Sequence, residues 1–238
     1  MNKAPAEAAA LFREVSSGLR SDNCKVILCV PFIDLLTVAN LASGTAICVG
    51  AQNCHFENEG AYTGEISPSM LNKIGVNHVI LGHSERRKHF GETDEMTNKK
   101  VKLAIESGLT AIVCVGETLL ERELGVCDKK ISTQIKKLLN GVSAAQVENL
   151  IIAYEPFWAV GSGKYIDSYD LAHVCKVIRE ALSSIYGDSV AEKIPILYGG
   201  SINSKNSAEL LSIDDIDGGL IGGASLDSEE FLKIVNYT

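Results

Sequence analysis

One carboxylate and one imidazole stand where apolar runs of the chain end. Glu155 directly follows the run 150–154, and His83 directly follows the run 78–82. A positioned carboxylate can remove a proton from carbon, and an imidazole can polarise a carbonyl or carry a proton. Taken singly, either residue is as readily structural, as a strand terminus or as a hydrogen-bonded residue at a helix start. Together they predict acid–base chemistry on a small substrate.

Two glycine-rich turns end the last two apolar runs. Gly200 and Ser201 follow one run, and Gly222 and Gly223 end the next. Glycines let backbone N–H groups approach an anion closely. Either turn alone is as readily an ordinary tight turn, with Ser201 as a helix cap. Because the final βα loops are the usual phosphate site of α/β barrels, we expect these amides to bind a phosphate group.

The stretch after Glu155 predicts a lid over such a site. Pro156 stiffens its first hinge, Trp158 can pack down, and Gly161 and Gly163 permit a turn. A closed lid would exclude water from the reacting group. The predicted lid consists of Pro156, Phe157, Trp158, Ala159, Val160, Ser162, Gly163 and Lys164, with Gly161 adding an amide for the phosphate.

Seven short apolar runs would position these residues. They are four to six residues long, mostly aliphatic and apolar on both faces, which is typical of parallel strands covered by helices. The runs are 25–30, 46–51, 78–82, 110–115, 150–154, 194–199 and 218–223.

Amphipathic stretches with helical spacing lie between the runs. Three apolar stripes carry this spacing: Leu11, Phe12, Val15 and Leu19; Ile131, Ile135, Leu138 and Leu139; and Leu171, Val174, Ile178, Ala181, Leu182 and Ile185. Alternating strands and helices predict an α/β fold with a parallel sheet, either doubly wound or a barrel. Steady alternation without an early G-x-G-x-x-G favours the barrel. No linker interrupts the pattern, so we expect a single domain over 1–238.

Composition and net charge exclude several classes of binding partner and cellular location. The formal net charge of −8 argues against general binding to nucleic acid or membrane surfaces, since both are anionic. The seven cysteines include no C-x-x-C pair, so we expect free thiols, no metal site and a reducing, cytoplasmic location. No apolar stretch approaches 18 residues, and M-N-K-A-P-A-E does not begin a secretory signal. Arg86, Arg87 and Lys88 are typical of a solvated helix face.

Several longer motifs resemble those of the triosephosphate isomerase family over essentially the full chain. They are A-Q-N-C (51–54), G-A-Y-T-G-E-I-S-P-S-M (60–70), L-G-H-S-E-R-R (81–87), C-V-G-E (114–117), A-Y-E-P-F-W-A-V-G-S-G-K (153–164), Y-G-G-S (198–201) and G-G-A-S-L (222–226). Together and in this order they are highly specific. The resemblance implies an eight-stranded barrel that interconverts dihydroxyacetone phosphate and glyceraldehyde 3-phosphate without a cofactor.

The resemblance also implies a role for each candidate residue. Glu155 would be the base that moves a proton between two substrate carbons, and His83 the neutral group that polarises the carbonyl oxygens. The stretch around Thr63 resembles the family's dimer loop, which implies a homodimer. The backbone at Gly161, Ser201, Gly222 and Gly223 would hold the phosphate, and Ser84 and Glu85 would support the site.

The chain departs from the family pattern at its start. Family members have a first strand that ends in G-N-W-K-M-N, and this chain begins at the last two letters, Met1 and Asn2. The first strand, its asparagine and its substrate-binding lysine are therefore absent from these 238 residues. We expect seven parallel strands with two open edges, because a barrel without one strand cannot close. We also expect Glu85 to be a buried carboxylate without its partner.

Two interpretations of this departure follow. The first is that the natural chain carries about ten more residues that supply the strand and the lysine. The second is a phosphate-binding barrel or interaction subunit with impaired catalysis, since losing one such stabilising contact costs about 10²–10³ in rate.

Overall fold

The sheet predicted from the apolar runs is present in the computed structural model, which describes residues 1–20, 24–159 and 166–236. Within these ranges seven strands form one parallel sheet. They are β1 (Ile27–Val30), β2 (Cys48–Ala51), β3 (His78–Leu81), β4 (Thr110–Val115), β5 (Leu150–Tyr154), β6 (Ile196–Tyr198) and β7 (Gly218–Gly219). The last two are shorter than predicted. β6 begins after Pro195, which has no N–H to donate, and β7 ends where the chain turns toward a short 3₁₀ helix at Gly223–Leu226.

Helices connect the strands in the described part of the chain. They are α1 (Pro5–Gly18), α2 (Leu35–Ala42), α3 (Pro68–Lys73), α4 (Ser84–Phe90), α5 (Asp94–Glu106), α6 (Leu119–Glu123), α7 (Cys127–Leu138), α8 (Ser168–Tyr186), α9 (Asp188–Ala191), α10 (Ser207–Leu210) and α11 (Ser228–Val235). A further 3₁₀ helix spans Ala144–Asn149. None of these helices is long and apolar enough to cross a membrane.

Local sequence explains where the longer helices begin. Pro5 occupies the first turn of α1, and the Glu7 carboxylate accepts the Ala4 N–H at 2.8 Å. The Thr93 hydroxyl caps α5, and Asp167 caps α8 by accepting the Asp170 N–H. The three predicted apolar stripes lie on α1, α7 and α8, where most of their members are buried.

The strands follow one another in the order β1 to β7, each paired with its neighbours in the sequence. This order confirms the barrel over the doubly wound sheet, because a doubly wound sheet reverses its strand order. Among the described residues, β1 and β7 each pair on one side only. The structure thus has the seven strands and two open edges that the sequence predicts.

Alternate residues of each strand face opposite sides of the sheet. On β4, Ala111, Val113 and Val115 pack with the helices in the main core. Ile112 and Cys114 face the other way, into a smaller cluster with Ile80 and Ala153 inside the curve of the sheet. Because the strands are parallel, their carboxyl ends form one rim, and Val115 of β4 pairs with Tyr154 of β5 next to Glu155.

Candidate active site

His83 is fixed by the start of α4. Gly82 takes a positive φ of 71° after β3, and His83 becomes the N-cap of the helix. Its Nδ1 accepts the Glu85 N–H at 3.3 Å. Since Nδ1 is an acceptor here, the proton of a neutral ring lies on Nε2, which faces the rim.

Glu155 comes from β5 and meets His83 at the rim. Its Oε1 lies 2.7 Å from His83 Nε2, and its Oε2 accepts the Ser84 N–H at 3.0 Å. The carboxylate is 1% exposed, whereas the imidazole is 24% exposed. Gly199 leaves room for it, because a Cβ there would lie 2.8 Å from Glu155 Cγ. The acid and the imidazole that the sequence singles out are therefore in direct contact.

The contact shifts the pKa of the imidazole. Burial lowers the pKa of His83, but the hydrogen bond to Glu155 and its negative charge outweigh burial and raise that pKa above the ordinary value. Burial, and then the nearby Glu155 charge, raise the pKa of the Cys114 thiol well above its usual range. Cys114 therefore stays protonated beside the carboxylate.

A second buried carboxylate, Glu117, lies on the same rim and was missed by the sequence analysis. The Tyr154 hydroxyl lies 3.2 and 3.1 Å from its two oxygens, and Trp158 Nε1 donates to it at 2.9 Å. Arg122 Nη1 lies 3.4 Å away. Burial and the Glu117 charge raise the pKa of Tyr154 well above its usual range. Glu117 is the second residue after β4, and Glu155 is the first residue after β5. The position of Glu117 just beyond a strand end could have identified it as a candidate from the sequence.

The Glu117 turn also holds the first part of the predicted lid. Glu117 O accepts the Phe157 N–H at 3.1 Å, while Trp158 is fastened through its indole. Pro156 O accepts the Ala159 N–H at 2.7 Å. The other predicted lid and phosphate residues of this stretch lie outside the described residues: Val160, Gly161, Ser162, Gly163 and Lys164.

The predicted phosphate turns lie on the same rim, after β6 and β7. Ser201 is half-buried, and Asn206 Nδ2 donates to its carbonyl at 3.0 Å. Gly222 and Gly223 are exposed, with no atom within 4 Å of where a Cβ would stand on either. Within the described residues, the N–H groups of these three residues donate to no acceptor.

The structure corrects two expectations on α4. Glu85 was expected to be buried, but its side chain is 70% exposed, because it follows the N-cap on the outer side of the helix start and its nearest ionic partner is His83 Nδ1 at 3.9 Å. Arg86 and Arg87 are not a solvated face. They form ion pairs of 2.7 Å with the carboxylates of Glu92 and Asp94. Ser84 is 8% exposed and contributes its backbone N–H to the site.

Comparisons with known proteins all point to one family. The family model described as triosephosphate isomerase matches residues 1–238. A triosephosphate isomerase of Carboxydothermus hydrogenoformans is 51% identical over 236 residues, covering 99% of this chain and 94% of the relative. That of Acetivibrio thermocellus is 48% identical over 237 residues, covering 100% and 94%. The crystal structure of the Bartonella henselae enzyme superposes with a TM-score of 0.89 at 40% identity, covering 100% of this chain and 96% of that one.

Proposed function

This chain belongs to the triosephosphate isomerase family, whose members interconvert dihydroxyacetone phosphate and glyceraldehyde 3-phosphate, and we propose that Glu155 and His83 carry out that reaction. The observation that supports this assignment is the 2.7 Å contact between Glu155 Oε1 and His83 Nε2. A base and a proton donor that touch each other can also face two adjacent atoms of one small ligand.

The reaction needs a base for carbon and a donor for oxygen. The Glu155 carboxylate takes a proton from the carbon beside the carbonyl, and the electron pair of that C–H bond moves toward the carbonyl oxygen. This gives an enediolate, whose oxygens His83 Nε2–H stabilises: the ring donates its proton to the former carbonyl oxygen and takes up the proton of the neighbouring hydroxyl, which restores the neutral ring. Glu155 then returns the proton to the neighbouring carbon, and the ketose becomes the aldose without any change of redox state.

A bound triose would change the environment of His83. The ligand must separate Glu155 from His83, since the two are in contact in the free protein. Glu155, and to a smaller extent the charge of Glu85, raise the pKa of His83, and burial acts in the opposite direction. With the carboxylate displaced, burial and the Glu85 N–H on Nδ1 favour the neutral ring. A neutral imidazole is therefore the form proposed to donate to the substrate oxygen.

The phosphate is proposed to bind at the turns after β6 and β7. The backbone amides of Ser201, Gly222 and Gly223 support this assignment: they donate to no acceptor among the described residues, and open glycine backbone can approach an anion without steric hindrance. The net charge of −8 offers no attraction to an anion, so the affinity must come from such local donors. Gly161 is proposed to add one more amide.

Glu155→Asp tests the role of the base. The shorter side chain withdraws the carboxylate by about 1 Å, and such a displacement costs about 10²-fold in turnover. Binding of inorganic phosphate, measured by calorimetry, should change little, because the phosphate is proposed to bind at the turns after β6 and β7. Glu59→Asp, on an exposed loop, is the matched control and should keep full turnover. Unaltered turnover of Glu155→Asp in a coupled isomerase assay would remove Glu155 from this role.

The alternative of an impaired barrel is tested by extending the chain. Residues 1–238 are assayed beside a chain that carries a family-type first strand ending in G-N-W-K before Met1. A gain of about 10²-fold or more with the extension would assign part of the transition-state stabilisation to the added lysine. Equal turnover of the two chains would show that this lysine is dispensable here.

We also propose that the protein is a cytoplasmic homodimer. Thr63 lies on an exposed loop, and the large apolar side chains of Tyr62, Met70 and Phe90 are exposed on loops and helices after β2 and β3. Large apolar side chains that are exposed on the surface are available for burial in a protein interface. All seven cysteines are free, which suits a reducing compartment.

Thr63→Arg tests the dimer. A charged side chain in a desolvated interface should shift sedimentation at micromolar concentration from dimer to monomer. Ser17→Arg, on the exposed face of α1, is the matched control and should leave sedimentation unchanged. A wild-type protein that sediments as a monomer at all concentrations would contradict the proposal.

A further inference from the structure

The turn after β4 supports the backbone on which Glu155 stands. Val115 O accepts the Glu155 N–H at 2.8 Å, and Glu117 O accepts the Phe157 N–H at 3.1 Å. Gly116 lies between these two carbonyls. A Cβ on Gly116 would stand 1.8 Å from Glu155 O and 2.7 Å from the Phe157 ring. Any shift of this turn is therefore transmitted to the backbone of Glu155.

One buried side chain, Gln134 of α7, fixes this turn. Its Oε1 accepts the Gly116 N–H at 2.9 Å. The Gly116 N–H has no strand partner, because β3 ends at Leu81, which pairs with Val113. A buried N–H without an acceptor is costly, and Gln134 supplies the acceptor. The residue is 2% exposed and lies on the apolar side of α7 beside Ile131 and Ile135, where packing alone would favour an aliphatic side chain.

Gln134 is itself held by a chain of contacts that leads to His83. Its Nε2 donates to Asp94 Oδ1 at 3.3 Å, and the same oxygen lies 2.7 Å from Arg87 Nη1. Arg87 Nε donates at 2.7 Å to the carbonyl of Gly82, the residue before His83. The turn that carries the imidazole and the turn that supports the base are thus joined through three side chains behind the rim.

We propose that Gln134 is a positioning residue for the isomerase reaction: it holds the Gly116 amide and thereby sets the distance between the Glu155 carboxylate and the substrate carbon. The inference rests on the proposed role of Glu155 as the base. Gln134 does not touch the substrate and acts only through the turn. Its effect should fall on proton transfer at Glu155 and His83. It should not fall on phosphate binding, which is proposed for the turns after β6 and β7.

The test compares two buried side-chain amides, that of Gln134 on α7 and that of Asn98, which binds the carboxyl-terminal end of α7. Gln134→Met keeps the length and volume of the side chain and removes both hydrogen bonds, whereas Gln134→Asn keeps the amide but is too short to span the 2.9 Å contact. Asn98→Leu is the matched control. Asn98 on α5 is 8% exposed and donates to Leu138 O and Asn140 O at the far end of α7, away from the rim. Turnover, KM, melting temperature and amide hydrogen exchange are measured for each.

A positioning role gives a pattern that loss of stability alone does not. We expect all three variants to melt several degrees lower. Only the Gln134 variants should lose turnover, by about 10-fold, with KM within about twofold of wild type, because a small displacement of the base acts on the chemical step. Amide exchange at Gly116 and Glu155 should accelerate in the Gln134 variants and stay slow in Asn98→Leu.

Two results would overturn the inference. The first is full turnover in Gln134→Asn or Gln134→Met despite a lower melting temperature, which would leave Gln134 a purely structural residue. The second is unchanged exchange at Gly116 and Glu155. If the wild-type chain has no isomerase activity, the proposed function fails, and exchange at these two amides alone then decides whether Gln134 positions the turn.

Discussion

The two halves of the rim are built in different ways. After β3, β4 and β5, side chains dominate: His83 contacts Glu155, Glu117 accepts hydrogen bonds from Tyr154 and Trp158, and both carboxylates are almost fully buried. After β6 and β7, the candidate binding groups are backbone amides at Ser201, Gly222 and Gly223, and the two glycines are exposed.

The difference fits the role proposed for each half. Proton transfer to and from carbon requires acid and base groups held within a fraction of an ångström, and buried side chains with several partners provide that precision. An anion needs donors that it can approach and leave, and exposed backbone provides them without a side chain to order. The first half should therefore be intolerant of small additions, and the second half tolerant.

Adding one methyl group to each half tests this contrast most strongly. Gly116→Ala places a Cβ 1.8 Å from Glu155 O, so the turn must move and carry the base with it. We expect turnover in the coupled assay to fall by about 10²-fold or more. Gly222→Ala meets no protein atom within 4 Å, so it should act only on the approach of the phosphate, with a raised KM and with turnover within about threefold of wild type. Similar losses in the two variants would erase the distinction between the halves.

A second prediction compares two histidines at the two ends of β3, His83 at the rim and His78 at the start of the strand. His83 gains a carboxylate partner, whereas His78, at the opposite end of β3, is 2% exposed and contacts Asn77 Oδ1 through Nδ1 at 2.6 Å. Within the described residues, its Nε2 has no hydrogen-bond partner. Burial, with a smaller contribution from Lys25, lowers the pKa of His78 from 6.5 to about 4.

The sign of the pH effect follows from that lowered pKa. Above pH 6.5 the ring is neutral in the folded and unfolded states, so His78 has no effect on stability. As the pH falls from 6.5 toward 4, the unfolded chain binds a proton that the folded protein excludes, and the free energy of unfolding should decrease by up to about 3 kcal/mol. Urea unfolding at several pH values measures this. His78→Asn should make the free energy of unfolding less dependent on pH between 6.5 and 4. The control His89→Asn, at an exposed position, should leave that dependence unchanged.

Glu117→Gln gives the smallest of these effects. The amide retains one oxygen but presents an N–H to the donors Tyr154 and Trp158, so at least one of these buried donors loses its acceptor. We expect a loss of about 1–3 kcal/mol in the free energy of unfolding, read from urea denaturation. Glu123→Gln on the neighbouring helix α6 is the control. Equal stability of both variants would mean that Glu117 does not fasten the start of the lid.

The sequence predicts the large features of the fold well. Apolar runs with helical stripes between them predicted seven parallel strands, because a strand covered on both faces has a distinctive composition. The same pattern placed His83 and Glu155 on one rim, since parallel strands end on the same side. The predicted strand lengths were less accurate, as β6 and β7 show. An apolar residue next to Pro195 or in a glycine turn has the same composition as a strand residue, so the sequence does not show where the strand ends.

The supporting residues could not be found in this way. Gln134 was hidden in a stripe of aliphatic residues, and nothing in the spacing shows that an amide on that stripe faces a strand end. Arg86 and Arg87 were read as solvated because a run of cations usually is. Their partners, Glu92 and Asp94, come from the turn and the helix that follow, and only the folded chain brings them into range.

The contact between Glu155 and the donors His83 Nε2 and Ser84 N makes the carboxylate a tethered competitor for its own site. A ligand that binds here as proposed gains these donors only when Glu155 releases them, so its measured affinity is a difference between two sets of hydrogen bonds. Water, a weaker acceptor than a carboxylate, is at a disadvantage in that exchange. The proposed site would therefore select ligands whose oxygens can displace a carboxylate that the chain holds in place at a high effective concentration.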